Sequence, residues 1–278
     1  MSDPAPPASP TSEPRAAGQG HGKGRVRIGG IWVDAVGFDD AVAAIAAMVA
    51  DRRGGHVFTP NVDHFVTVED TPAFREAYDA ARLVLADGQL VVWASRLLGT
   101  PVPGRVSGSD LVEPLLRRAG EEGWKVYLLG GGPGIAEAVA EKSARELGVR
   151  VVGTASPTIR LDGALGDLEQ GAEAVAAAGP DLLLVAMGTP KQEIWIHHNR
   201  ATLGPALSIG VGASFDFYVG RVRRAPPWVS NAGLEWLYRL AREPRRLAHR
   251  YLVRDPRFLG ILARTALSRR ATRVSGSP

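Results

Sequence analysis

Apolar positions along this chain follow two periods. VRIGGIWVDAV (26–36) alternates apolar and polar residues, which predicts an opening strand or hairpin. FDDAVAAIAAMVADRR (38–53) places apolar residues at helical spacing, with Asp39 or Asp40 near its start and Gly54-Gly55 at its end. GHVFTPN (55–61) reads as a short strand running into a polar turn, and 68–81 as a helix beginning at Asp70 or Thr71. RLVLA is a strand, followed by Asp87-Gly88 and an apolar helix over 89–98. SGSDLVEPLLRRAGEEG is a further helix, capped by Ser109 or Asp110.

From residue 124 the pattern becomes regular. WKVYLLGGGPGIAEAVAEKSARELG is strand, glycine loop and helix, and VRVVGTA is a strand. Residues 166–178 form a helix, DLLLVAMGTPKQEIWIHHNR is strand, loop and helix, and ALSIGVGASFDFYVG is a strand entering a loop. Strands that are apolar throughout and alternate with helices belong to a parallel sheet covered on both faces. The expected class is therefore α/β, a Rossmann-like and largely parallel sheet with helices on both faces. After Gly220 the composition changes. Residues 221–278 predict two or three short basic amphipathic helices broken near Pro244 and Pro256, each proline following an acid and suited to a helix start. The expected organisation is a disordered tail over 1–24, a core over 25–220 and a helical appendage over 221–278.

Composition narrows the chemistry. There is no cysteine among the 278 residues, which excludes disulfides and thiolate metal sites. The first residues are rich in Pro, Ala, Ser and Gly and hold no apolar signal-like run, and no stretch of about 18 apolar residues predicts a membrane span. A cytoplasmic protein is expected. The formal net charge of +4 hides an asymmetry, because residues 221–278 hold 14 of the 33 basic residues, all arginine, and only 3 of the 29 acids. Interleaved with leucine and tryptophan, this charge suits an anionic membrane surface better than nucleic acid, and the apolar faces of such helices favour self-association off the membrane.

Four loops after strands could carry chemistry. Gly130, Gly131 and Gly132 open a helix and bring backbone N–H groups within reach of a pyrophosphate, or simply make a tight turn. They fit neither the dinucleotide fingerprint nor the P-loop. In MGTPKQE, Gly188 and Pro190 shape a turn. Lys191 there suits a phosphate, Gln192 a base or sugar, and Glu193 the helix dipole; a capped helix start explains the same residues. Thr59 and Asn61 of TPN suit hydroxyls, or a plain turn. Asp216, between two aromatics, either meets a ligand or holds neighbouring backbone. His197 and His198 point to different faces of one helix and do not chelate together. No D-x-D occurs and no obligatory metal is expected; G-x-S-x-G is absent too.

Taken in order, TPN, VLADG, RVSGSDL, LLGGGPG, DLLLVAMGTPKQE, IGVGASFDFYVG and RAPPWVSNAGLEWLYRLAREPRRLAHRYL resemble the WecG/TagA/CpsF family of bacterial glycosyltransferases over about residues 27–252. The resemblance implies an inverting enzyme that needs no metal or other cofactor. It moves a sugar from a UDP-sugar donor to a polyprenyl-diphosphate-linked saccharide, peripherally on the inner face of the membrane. N-acetylmannosamine, its uronic acid, glucose and glucuronic acid are the family's donor sugars. The resemblance also implies Asp87 as the base and Thr59 and Asn61 near the donor or acceptor sugar, and it matches Gln192 to the family's Gln of P-K-Q-E. Gly108 and Asp110 fall in the family's V-x-G-x-D-L segment. Arg239 and Arg246 match diphosphate-binding arginines; a third such position falls on His249, with Arg250 beside it. Arg105 is kept where the family has Glu-Arg, but Gly104 replaces the acid. A nicotinamide-dependent oxidoreductase and a non-catalytic nucleotide-binding protein are the alternatives, both poorer fits to the glycine pattern and to the placement of charge.

Overall fold

The computed structural model describes residues 24–161, 166–222, 225–226, 229 and 233–275; the side chains of 166, 167, 239, 246 and 270–275 are outside this description. Residues 1–23 of the tail expected to be disordered therefore lie outside the described residues, as do the side chains of Arg239 and Arg246.

A hairpin, β1 (Arg25–Ile28) and β2 (Ile31–Asp34), opens the chain. Helix α1 (Phe38–Ala50) leads to β3 (Gly55–Phe58). Helices α2 (Val62–Asp70) and α3 (Pro72–Asp79) then reach β4 (Leu83–Val84). Helices α4 (Gln89–Leu97) and α5 (Gly108–Glu122) carry the chain across to β5 (Lys125–Gly130). Next come α6 (Ile135–Leu147), β6 (Arg150–Ala155), α7 (Gly166–Glu169), α8 (Ala172–Ala178) and β7 (Leu182–Ala186). Helices α9 (Lys191–His198) and α10 (Arg200–Leu203), strand β8 (Leu207–Gly210) and α11 (Ser214–Tyr218) complete the α/β part. The six strands β3 to β8 form one sheet in the order β4-β3-β8-β7-β5-β6, with every pairing parallel. This is the α/β, Rossmann-like class read from the sequence.

Alternation along the strands fills both faces. Phe58, Tyr127, Leu129, Leu183 and Val185 meet α2, α3, α8 and α9 on one side. Val57, Val126, Leu128, Leu182, Leu184 and Ile209 meet α1, α5, α6 and α11 on the other. The hairpin belongs to the first face. Its Asp34 pairs with Arg25 at 3.0 Å and accepts the Val84 N–H at 2.8 Å, so the short edge strand β4 has its outer side tied down.

Three local expectations change. The polar turn expected after β3 is a helix start: Asn61 caps α2, which ends at Thr71 because Pro72 disfavours helical backbone in the residue before it and opens α3. The cap of α5 is Ser107, whose side chain accepts the Asp110 N–H, and not Ser109 or Asp110. The helix expected over 166–178 is interrupted at Gly171, which has a left-handed φ of 82°.

The appendage consists of α12 (Glu235–Arg242), α13 (Pro244–His249), a π-helical turn (Arg250–Arg254) and α14 (Arg257–Ser275). Its breaks fall at Glu243 and at Asp255-Pro256, as the prolines predict. α14 is 19 residues long rather than short, and it docks on the core. Phe258 and Ile261 are buried with Phe65 and the hairpin. Thr265 accepts the Gly29 N–H at 3.0 Å. Gly29 has a φ of 53°, and a Cβ there would stand 2.5 Å from Ile261, so only glycine lets the hairpin turn approach this helix. None of the described helices is long and apolar enough to cross a membrane.

Candidate functional site

The chain leaves β3 toward one face of the sheet, through α2, and leaves the adjacent β8 toward the other, through α11. Such a divergence opens a crevice at the carboxyl ends of the strands, where open α/β sheets bind ligands. The N-terminus of α5 closes in on this crevice. A Cβ on Gly108 would lie 3.2 Å from both Thr59 Oγ1 and Val211 Cα, so the absence of a side chain there is a packing requirement.

A cavity of about 680 Å³ extends from the crevice under the appendage. Asp87, Asn61, Arg105, Ser107, Ser109, Glu235, Arg250 and Asp255 give it a polar end. Asp87 is half-buried and held by backbone: its N–H donates to Pro60 O at 3.0 Å, and the flanking Ala86 O accepts the Val106 N–H at 2.8 Å. Gly88 follows with a φ of 97°, so the chain turns straight into α4. The Asp-Gly pair is thus a strand-to-helix junction that leaves its carboxylate on the cavity wall.

Two arginines of the cavity tie the appendage to the core. Arg105 meets Asp110 of α5 and Glu235 of α12, each at 3.2 Å. Arg250 donates to Asn61 Oδ1 at 3.0 Å and stands 3.5 Å from Asp63 and 3.9 Å from Asp255. Arg254 shares Asp63 at 3.6 Å and donates to Thr67. Burial, reinforced by the Asp63 charge and opposed by Arg250, raises the Asp255 carboxyl to about 6.

Beneath this surface runs a buried polar network. The Asn61 side chain accepts the Asp63 N–H, and the Asn61 N–H donates to His64 Nδ1. The other His64 nitrogen meets Thr189 Oγ1 at 2.6 Å and lies 3.3 Å from Glu193 Oε1. Glu193, 1% exposed, also accepts from Gln192 Nε2 at 2.8 Å, and Gln192 Oε1 accepts the Gly212 N–H at 2.9 Å. The network links the loops after β3, β7 and β8, with Arg250 at one end. The Tyr78 hydroxyl lies buried nearby. Burial first, then the Glu193 and Asp87 charges, push it well above the ordinary phenol range, so it stays protonated.

The remaining expected residues share the carboxyl edge without lining the cavity. Gly130 reaches so close to β7 that a Cβ would meet Ala186 O at 2.6 Å, which accounts for that glycine by packing. Gly131 and Gly132 lead into α6, and Gly132 lies beneath the Arg221 guanidinium. Gly188 turns toward α9 with a φ of 75°, and Lys191 is exposed on its first turn. Asp216 is half-buried on α11. The cavity thus brings together Asn61, Asp87, Arg105 and Arg250, with Thr59 and Gly108 beside it. Among the described residues, no three His, Asp or Glu side chains cluster as metal ligands would.

Sequence reasoning missed His64, Asp63, Asp255, Trp93 and Tyr251. His64 stands three residues after a helix-capping Asn, a capping-box position. Trp93 was signalled by a helix that is apolar on both faces.

The family comparison extends the resemblance read from the loops. The model of the glycosyl transferase WecG/TagA/CpsF family matches residues 26–272, so it includes most of α14. The match sets aside the oxidoreductase and the non-catalytic binding protein. The chain belongs to the WecG/TagA/CpsF family of glycosyltransferases, which work in cell-surface polysaccharide synthesis.

Proposed function

We propose that the protein transfers a sugar from a UDP-sugar to a polyprenyl-diphosphate-linked saccharide, with inversion and without an obligatory metal, while bound peripherally to the inner face of the cell membrane. The observation that carries this reading is Asp87, a strand-end carboxylate on the polar wall of a cavity that Arg105 and Arg250 also line; Glu235 and Asp255, the other carboxylates there, face those two arginines. Single displacement needs one base. Asp87 takes the proton of the acceptor hydroxyl as its oxygen bonds to the anomeric carbon and the bond to UDP breaks. The departing diphosphate carries negative charge, which arginines and backbone N–H groups of the strand-end loops stabilise. Thr59 and Asn61 flank the reacting sugars, and Gln192 holds the donor-side loop through Gly212. An N-acetylmannosamine-type sugar, a uronic acid and glucose are the donors to compare.

UDP release from that panel, with and without a polyprenyl-diphosphate sugar, tests the reading. One donor should respond to the acceptor. Asp87→Asn should lower kcat by about 10²–10⁴-fold, the usual contribution of a general base, with little change in donor affinity. Turnover within about threefold of the parent would remove Asp87 from the base role.

A further inference from the structure

The cavity that holds Asp87 has a second, chemically different end. Leu90, Trp93 and Leu97 recur at helical spacing along α4, while Val91 and Val92 on its other side are buried. The outer stripe faces Phe258, Leu259 and Leu262 of α14 across the same cavity. Trp236 and Tyr251 complete the wall, their rings packed edge to face 5.9 Å apart. The trough opens to solvent between Leu97 and Leu259, which are 71% and 69% exposed.

A nucleotide or a free sugar would leave these side chains wet. The wall calls for hydrocarbon, and its continuity with the Asp87 end calls for hydrocarbon attached to a polar head. Arg105 and Arg250 belong to the polar end, where a diphosphate joining chain to sugar would meet them. We propose that the trough between α4 and α14 is the subsite for the apolar chain of the acceptor. The first isoprene units lie along Trp93, Leu97 and Leu259, and the saccharide points at Asp87. The inference rests on the proposed acceptor class and adds where its chain runs. It makes α4, an element of the core, part of lipid recognition, and it makes α14 the opposite wall.

The test uses the full chain in detergent micelles with two acceptors, one carrying a long polyprenyl chain and one a chain of only a few carbons. The variants Leu97→Gln and Leu259→Gln alter exposed positions, and circular dichroism checks their fold. The parent should prefer the long chain by at least about tenfold in kcat/KM, as burial of a few methylene groups provides. Each variant should reduce that preference by about threefold or more. An unchanged preference in both variants overturns the subsite. So does an unchanged preference accompanied by weaker vesicle binding, which would assign the stripe to bilayer lipid. An unchanged preference with an altered oligomeric state overturns it too, in favour of a second copy of the chain. Failure of the parent to use either acceptor would instead sink the functional reading itself, so the two failures are distinguishable.

Discussion

Asp255 stands among Asp63, Arg250 and Arg254, which only the docked appendage brings together. Its carboxyl, raised from 3.8 to about 6, holds a proton more tightly in the folded chain than in the unfolded one. Its contribution to stability is therefore fully present below pH 3.8 and fades as pH rises to about 6. Asp255→Asn should flatten the fall in Tm between pH 4 and pH 6.5, read by circular dichroism, and an identical slope in the variant would remove Asp255 as its source. Glu193 poses the opposite case. It accepts from Gln192 and Thr189 and pairs with His64, so Glu193→Leu strands buried polar groups and should cost about 1–3 kcal/mol in urea unfolding. Asp87 is legible in the sequence as a strand-end carboxylate, because Asp-Gly follows an apolar run and precedes a helix, whereas Glu193 reads there as a dipole partner. Its burial depends on strand neighbours that no local pattern reveals.

At the scale of elements, alternating apolar strands and helices were enough to read the parallel sheet, since each strand is buried on both faces. The helix over 62–70 was missed because TPN reads as a turn until His64 is recognised as completing a capping box. The last helix gives a different lesson. Its arginines and leucines resemble a membrane face, yet Arg257 pairs with Asp70 at 2.6 Å and Arg264 with Glu69 at 3.0 Å. Arg269 also caps Leu98 O. Phe258 is 5% exposed against Phe65, whereas Leu259 beside it points outward. Phe258→Ala should therefore cost about 3–5 kcal/mol in urea unfolding. Leu259→Ala should stay within about 0.5 kcal/mol. Equal effects would mean that α14 does not dock in this register. Deleting α14 would expose the same core surface, so loss of activity on truncation also reports lost packing.

Across the whole molecule, positive charge gathers in the last fifth of the chain, but five of its 14 arginines are already engaged. Arg250, Arg254, Arg257 and Arg264 answer to carboxylates of the α2 region, and Arg269 to a backbone carbonyl. An exposed pair already matched by a carboxylate gains little from an anionic surface, so the 14 arginines overstate the electrostatic attraction. The appendage also leaves apolar side chains uncovered. Leu237, Leu252 and Val253 are 47%, 62% and 59% exposed on the appendage. The proposed membrane contact should therefore depend chiefly on insertion of these side chains, with charge as the weaker component. In flotation with vesicles of neutral and of anionic lipid, the double variant Leu252→Gln/Val253→Gln should lose at least about tenfold in binding to both, since burying two such side chains contributes several kcal/mol. Added salt should weaken binding to anionic vesicles only severalfold, because the five arginines already engaged respond little. If the double variant floats like the parent while salt abolishes binding, attachment is electrostatic, and the arginines paired in this structure must leave their carboxylates at the membrane.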